Sequence, residues 1–331
     1  WGFADFAQFP SGMDGEQMHM LFGALYQKTM VNIFEDRNRR TWGEVRNTTA
    51  LSAPNPYVLY SDLYAHEDFV RGMASASCSG ILWTPEVRQA DSSEELLRRI
   101  AAATVSPQMV LNCYQVKTPP WTQWDEQKNL MGIRLDDAEE LTNKTRKLLE
   151  LRMRFIPVLY AAYYRYYNEG VPPIRPLVLD YPNDKTARPI YDEYLFGREL
   201  LAAPVIHGHG NLRRIWLPKG VWYDYFTNER LEGQQWIERE TEPGDVPLFV
   251  KEGSLLAMAQ PEQFVGQDTC FHLELTAYGE GDCRCTLISD DGVTNAYRDS
   301  VIKVEYTAHQ GELTGNDDTG RYVVDEFRWV H

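Results

Sequence analysis

The sequence predicts an α/β unit followed by an all-β part: the C-terminal half of an eight-stranded (β/α)8 TIM barrel over residues 1–170, then one or two antiparallel β-sandwich domains, a proximal one over 171–259 and a distal module over 260–331. Three observations carry this. Four short apolar runs before residue 115 are each followed by a helical pattern or a long loop, which is half the βα count of a closed barrel. After Gly170 helical spacing gives way to short apolar runs broken by Pro, Gly, Asn and Asp, the pattern of antiparallel sheets. A chain of 331 residues with 43% hydrophobic content is long enough to bury a large core.

The elements follow in order. From Asp14 to about Arg37, Met18, Leu21, Phe22, Leu25, Tyr26, Met30 and Ile33 keep helical spacing, and Asp14 is the N-cap. A short strand lies in TWGEVRN, and the apolar strand YVLY follows a Pro-rich turn and ends on Ser61 and Asp62. Its helix is EDFVRGMASASC. The third strand is GILW, ending on Thr84, Pro85 and Glu86, and its helix SSEELLRRIAAAT is capped by Ser92. QMVLNCY is the fourth, running into a loop with PPWTQW, and a helix from Asp136 to Asn168 is kinked at Pro157. RPLVLDYP, RIWLPKGVWYDYF and VPLFVKEGSLLAM read as sandwich strands, as do CFHLELTAY, CRCTLISDDG and SVIKVEYTAH farther on.

A half barrel leaves two strand edges and an apolar interior open, so another polypeptide segment is expected to close it. The chain starts at Trp1 without an initiator methionine, a basic leader or a signal core, and so reads as cut from a longer polypeptide. A net charge of −15, from 33 basic and 48 acidic residues, repels phosphate backbones and anionic lipid, so neither nucleic acid nor a membrane is an expected partner. No run approaches the ~20 apolar residues of a membrane helix. Cys270, Cys283 and Cys285 cluster in a segment patterned like paired strands, which allows one disulfide or reduced thiols alike. The histidines are scattered, and the pair His207 and His209 has no cysteine nearby, so no zinc pattern forms and no cofactor is expected.

Barrel active sites lie where strands end, which singles out Arg46, Asp62, Glu86 and the group Asn112 to Tyr114. A carboxylate directly after YVLY suits acid/base work, although it could equally cap the next helix. Glu86 could contact a hydroxyl-rich ligand or pair with Arg88. Trp42, Trp83, Trp121 and Trp124 fall near these ends or their loops, where flat rings suit sugars or pack a core.

The arginine and aspartate spaced sixteen apart in RNTTALSAPNPYVLYSD, the strand end GILWTPE and the segments VPPIRPLVLDYPND, YLFGRELLAAPV, WLPKGVWYDYFTNERLEG, VPLFVKEGSLLAM and SDDGVT together resemble glycoside hydrolase family 31, whose members include α-glucosidases, α-xylosidases and α-galactosidases. The likeness spans nearly the whole chain. It implies a retaining mechanism with two carboxyl groups about 5 Å apart. Asp62 would be the general acid/base, Arg46 and Glu86 would bind the sugar, and Trp83, Asn112, Tyr114 and Trp121 would line its site, with an oligosaccharide or glycoside as substrate. GEQMH, VLYSDLY and LWTPEVR look closest to a branch with bacterial α-galactosidases.

Two departures stand out. The family carries a histidine at the end of its eighth strand, where this chain reads Leu111, Asn112, Cys113 and Tyr114. The family's nucleophile ends the fourth barrel strand, and Asp5 and Asp14, the early aspartates, end no apolar strand pattern. The nucleophile is therefore expected outside these residues, in an N-terminal half of the same enzyme present as a separate chain or a preceding segment. The sequence also leaves room for a non-catalytic carbohydrate-binding or scaffold piece and for an α-transglycosylase using the same site. Two sequons, Asn47-Thr48-Thr49 and Asn143-Lys144-Thr145, and the resemblance bias the expectation toward an extracytoplasmic location.

Overall fold

The computed structural model of the chain describes residues 3–46, 49–60, 65–84, 86, 87, 90, 92–112, 137–206 and 211–331. Its first part is parallel. Strands β1 (Gly43–Val45), β2 (Tyr57–Tyr60) and β3 (Trp83–Thr84) form one parallel sheet. Strand β4 (Glu86–Val87) pairs in parallel with β5 (Val110–Leu111). Two strands close in sequence thus have different neighbours, β2 for β3 and β5 for β4. Gln108, just before β5, donates to Glu44 of β1 at 2.6 Å and ties the first and last of these strands together.

Helices α1 (Gly15–Glu35), α2 (His66–Ala76) and α3 (Ser93–Thr104) alternate with the strands. Asp14 caps α1 through a capping box with Gln17, and Ser92 caps α3 by accepting from the Glu95 N–H at 3.1 Å. Helix α1 covers little of the core. Gly15, Gly23 and Gln27 are buried, while Phe22, Leu25, Tyr26 and Ile33 of its apolar stripe, and Met20 beside it, remain exposed among the described residues.

The long helix expected over 136–168 is two helices, α4 (Ala138–Arg154) and α5 (Ile156–Glu169). Pro157 sits in the first turn of α5, where it has no N–H to give and its ring clashes with a fourth-preceding carbonyl, so the chain restarts instead of bending. Arg152 of α4 is buried. It donates to the carbonyls of Thr104, Ser106 and Pro107 at 3.1, 2.5 and 2.9 Å, closing the end of α3 and fixing the approach to β5. Burial holds its guanidinium down at about 10, which leaves it charged at neutral pH.

The rest is built largely of antiparallel sheets. Strands β6 (Ile174–Pro176), β7 (Tyr194–Phe196), β8 (Leu200–Ala202), β10 (Val221–Asp224), β11 (Arg230–Glu232) and β13 (Leu248–Lys251) form a six-stranded sheet in the order β11-β10-β13-β8-β7-β6. A two-stranded ribbon, β9 (Leu212–Leu217) with β12 (Gln235–Glu240), lies over one face. Leu195, Leu201, Trp222 and Phe249 of the sheet share a core with Ile215, Trp216 and Leu217 of the ribbon. Part of RPLVLDYP is not a strand. Leu177–Asp180 make a helical turn, α6, because Asp180 folds back to accept two hydrogen bonds from Arg175, at 2.7 and 3.0 Å.

Beyond it, β14 (Leu255–Ala259), β15 (Phe271–Tyr278) and β19 (Tyr322–Val330) form one sheet, with β15 and β19 parallel. Strands β16 (Cys283–Ser289), β17 (Ile302–His309) and β18 (Glu312–Thr314) form another. The two bury a common core of Leu273, Leu275, Leu287 and Val304. Cys283 and Cys285 point into that core as free thiols, and Cys78 and Cys270 are free as well. Cys270 directly precedes β15, whereas Cys283 and Cys285 lie on β16 in the other sheet, and no disulfide joins the described cysteines, so of the two alternatives the sequence left open the reduced one is seen there.

Candidate active site

The C-terminal ends of β1, β2 and β3 bring three side chains together, the third of them Glu86, two residues past β3. Arg46, just past β1, lays its guanidinium over the Tyr60 ring at 4.7 Å from the centroid. The Tyr60 hydroxyl at the end of β2 donates to the Glu86 carboxylate in a short hydrogen bond. Glu86 is buried, and register explains the convergence. Val45 pairs with Leu59, and Tyr60 with Thr84, so each strand delivers its terminal polar residue to the same rim. Asn112 ends β5 one strand farther on, its N–H bonded to the Val87 carbonyl at 2.9 Å, and is half-buried.

Asp62, the expected acid/base, lies outside the described residues, two positions after Tyr60. Tyr114 and Trp121 lie outside them too, as do Arg88, Cys113, Trp124 and the pair His207 and His209. Trp83 is placed differently from the sugar-facing role expected of it. It is buried at 3% exposure in the core, its ring against Gly72 of α2, where a Cβ would come within 2.9 Å of Cζ3. Helix α2 has a glycine there because the indole occupies the space a side chain would need.

Tyr60 is the partner that the reading of strand ends passed over. It falls inside the apolar run YVLY, and the available signal was that a half-buried tyrosine hydroxyl at a strand terminus needs an acceptor. A cavity of about 300 Å³ opens elsewhere, between α5 and strands β14, β16 and β17. Tyr164, Glu199, Cys285 and Lys303 are on its walls, and none of the residues expected to bind substrate is. What the rim offers chemically is a buried carboxylate acceptor beside a cation with several donors, a combination that grips neighbouring hydroxyl groups.

Two family models match. The glycosyl hydrolase family 31 TIM-barrel domain covers residues 4–162 and the family's C-terminal domain covers 170–256. The chain belongs to glycoside hydrolase family 31. It is 32% identical over 175 residues to α-glucosidase 2 of Bacillus thermoamyloliquefaciens, a match covering 51% of this chain and 22% of that protein. With the 1,6-α-glucosyltransferase of Sporosarcina globispora it shares 31% over 183 residues, 54% of this chain and 14% of that one. The family 31 dextranase of Flavobacterium johnsoniae, solved with glucose, superposes with a TM-score of 0.77 at 22% identity, over 92% of this chain and 39% of the dextranase, a likeness of fold. The matched region thus spans less than half the length of each of these family 31 proteins.

Proposed function

We propose that this chain carries the acid/base side of a retaining α-glycosidase that hydrolyses a terminal α-linked hexose, glucose or galactose. Its 1–170 segment would be the C-terminal half of the barrel and a preceding segment of the same enzyme would supply the nucleophilic aspartate. The observation that supports this is the Arg46–Tyr60–Glu86 assembly at neighbouring strand ends in a chain of a glycoside hydrolase family. Arg46 donates to a sugar hydroxyl and Glu86 accepts from one. Asn112, Tyr114 and Trp121 add further contacts to the ring.

Asp62 protonates the glycosidic oxygen while the nucleophile attacks C1 and the C1–O bond breaks. In the second step its carboxylate takes the proton from the water that displaces the enzyme carboxylate from C1. The residues 171–259 and 260–331 are read as the two β-sandwich domains that follow. An extracytoplasmic location belongs to the same reading and rests on the two sequons.

The test is a panel of α-glycosides assayed with the full-length enzyme and its Asp62→Asn variant. Hydrolysis of substrates with poor leaving groups is expected to fall by about 10²–10⁴-fold, the usual contribution of general acid/base catalysis. An unchanged rate would remove Asp62 from the mechanism. Transfer to a sugar instead of water is a second reading, favoured by the match to a protein named a glucosyltransferase. Oligosaccharide products that grow with added acceptor would identify it.

A further inference from the structure

Strand β1 is three residues long and, among the described residues, pairs only with β2. Its far end carries Arg46. What holds its near end is the last β unit, through residues 38–40. The Asp-Asp-Gly turn after β16 folds on itself: Asp291 Oδ1 accepts from the N–H groups of Val293 and Thr294, both at 2.9 Å, and Asp290 Oδ1 from Gly292 at 2.8 Å.

That turn grips the connection between α1 and β1. The Arg40 N–H donates to the Val293 carbonyl at 2.9 Å and its Nε to the Thr294 carbonyl at 2.6 Å. Its guanidinium pairs with Asp290 at 2.9 Å and Asp291 at 3.6 Å and lies 4.5 Å from the centre of the Tyr297 ring. Tyr160 of α5 joins the cluster, accepting from Arg40 at 2.8 Å and donating to Asp290 at 2.5 Å. Asn295 donates to the Arg39 carbonyl at 3.2 Å, and Arg298 pairs with Glu35 at 2.7 Å. Apart from those of Tyr160, these contacts join residues some 250 apart in sequence, and they converge on the end of α1 and the connection that leads into β1.

We propose that the Asp290-Asp291-Gly292 turn is a clamp that sets the position of β1, with Arg40 as the positioning residue for Arg46. The proposal rests on the reading in which Arg46 binds a substrate hydroxyl. A hydroxyl contact is made in the ground state and the transition state alike, so loosening it raises KM more than it lowers kcat. A shift of about 1 Å is enough to cost ten- to a hundredfold in such sites.

The experiment uses the full-length enzyme with Arg40→Met, Arg40→Lys, Asn295→Ala and Arg46→Met variants, an aryl α-glycoside as substrate, and amide hydrogen exchange. Arg40→Met is expected to raise KM about tenfold with a smaller fall in kcat. It should speed exchange at residues 43–46 while β17 stays protected. Arg40→Lys, which keeps the charge, should fall between it and the wild type. Asn295→Ala removes one contact at the surface and should speed exchange at 43–46 in a protein that folds normally.

Unchanged KM and unchanged exchange at 43–46 in Arg40→Met, with KM raised in Arg46→Met, would overturn the clamp and leave the role of Arg46 standing. An Arg46→Met enzyme with unaltered KM would overturn both. Loss of protection across β17 as well as β1 would show general destabilisation and also overturn the clamp.

Discussion

Tyr60 joins the two charged side chains of the rim, and its chemistry can be separated by substitution. Tyr60→Phe keeps the ring beneath Arg46 and removes the donor to a buried carboxylate, a loss of about 1–3 kcal/mol. Tyr60→Leu removes the ring as well and should cost about 0.5–1 kcal/mol more from the lost cation–π contact. Urea unfolding of the two variants reads both steps, and equal stability of wild type and Tyr60→Phe would show that the Glu86 carboxylate does not depend on this bond. Arg46 and Glu86 were legible in the sequence because each is a charged residue closing an apolar run. Tyr60 was not, since an aromatic within an apolar run reads as core, although here its ring lies under Arg46 and its hydroxyl meets Glu86. Trp83 was misread for the opposite reason. Proximity of an aromatic to a strand end does not reveal its direction, and this one fills the space left by Gly72.

Among the elements, strand existence was legible and strand partnership was not. RIWLPKGVWYDYF reads as sandwich strands without showing their neighbours, and its β9 and β10 belong to different sheets, β9 pairing with β12 and β10 with β11 and β13. Two corners make this possible, at 218–220 and at 233–234, and they pack on each other. The Gly233 N–H donates to the Gly220 carbonyl at 2.7 Å and the Gln234 N–H to the Leu217 carbonyl at 2.7 Å. A Cβ on Gly233 would meet the Pro218 oxygen at 2.0 Å and the Gly220 oxygen at 2.6 Å, both backbone atoms with little freedom to yield. Gly233→Ala is therefore expected to lose about 3 kcal/mol, the upper end of the usual overpacking cost. Thermal unfolding checks it, and a change under 1 kcal/mol would mean the corners separate easily. Alternation of apolar residues reports which face is buried but not which strand lies alongside, so this topology is not legible in the sequence.

Across the whole molecule, a second buried glutamate besides Glu86 lies in the antiparallel part. Glu193 is buried beneath the ribbon, where its carboxylate accepts from the Trp216 N–H at 3.1 Å and faces Arg213 at 3.6 Å. Burial pushes it up to about 8 in spite of that cation. An acid raised in the folded state holds a proton there that the unfolded chain has released. Its contribution to stability is therefore full below the ordinary glutamate range and is lost as pH rises toward 8. Glu193→Gln should flatten the decline in urea midpoint between about pH 5 and pH 8, and a variant with the wild-type slope would place the titration elsewhere.

The proposal that this chain is the acid/base side of a retaining α-glycosidase completed by a preceding segment also belongs to the whole molecule. The most direct measurement is proton NMR of the first sugar released by the full-length enzyme from an aryl α-glycoside, taken before mutarotation. A retaining enzyme releases the α-anomer first, and that is the expected result. A β-anomer as the first product would contradict it.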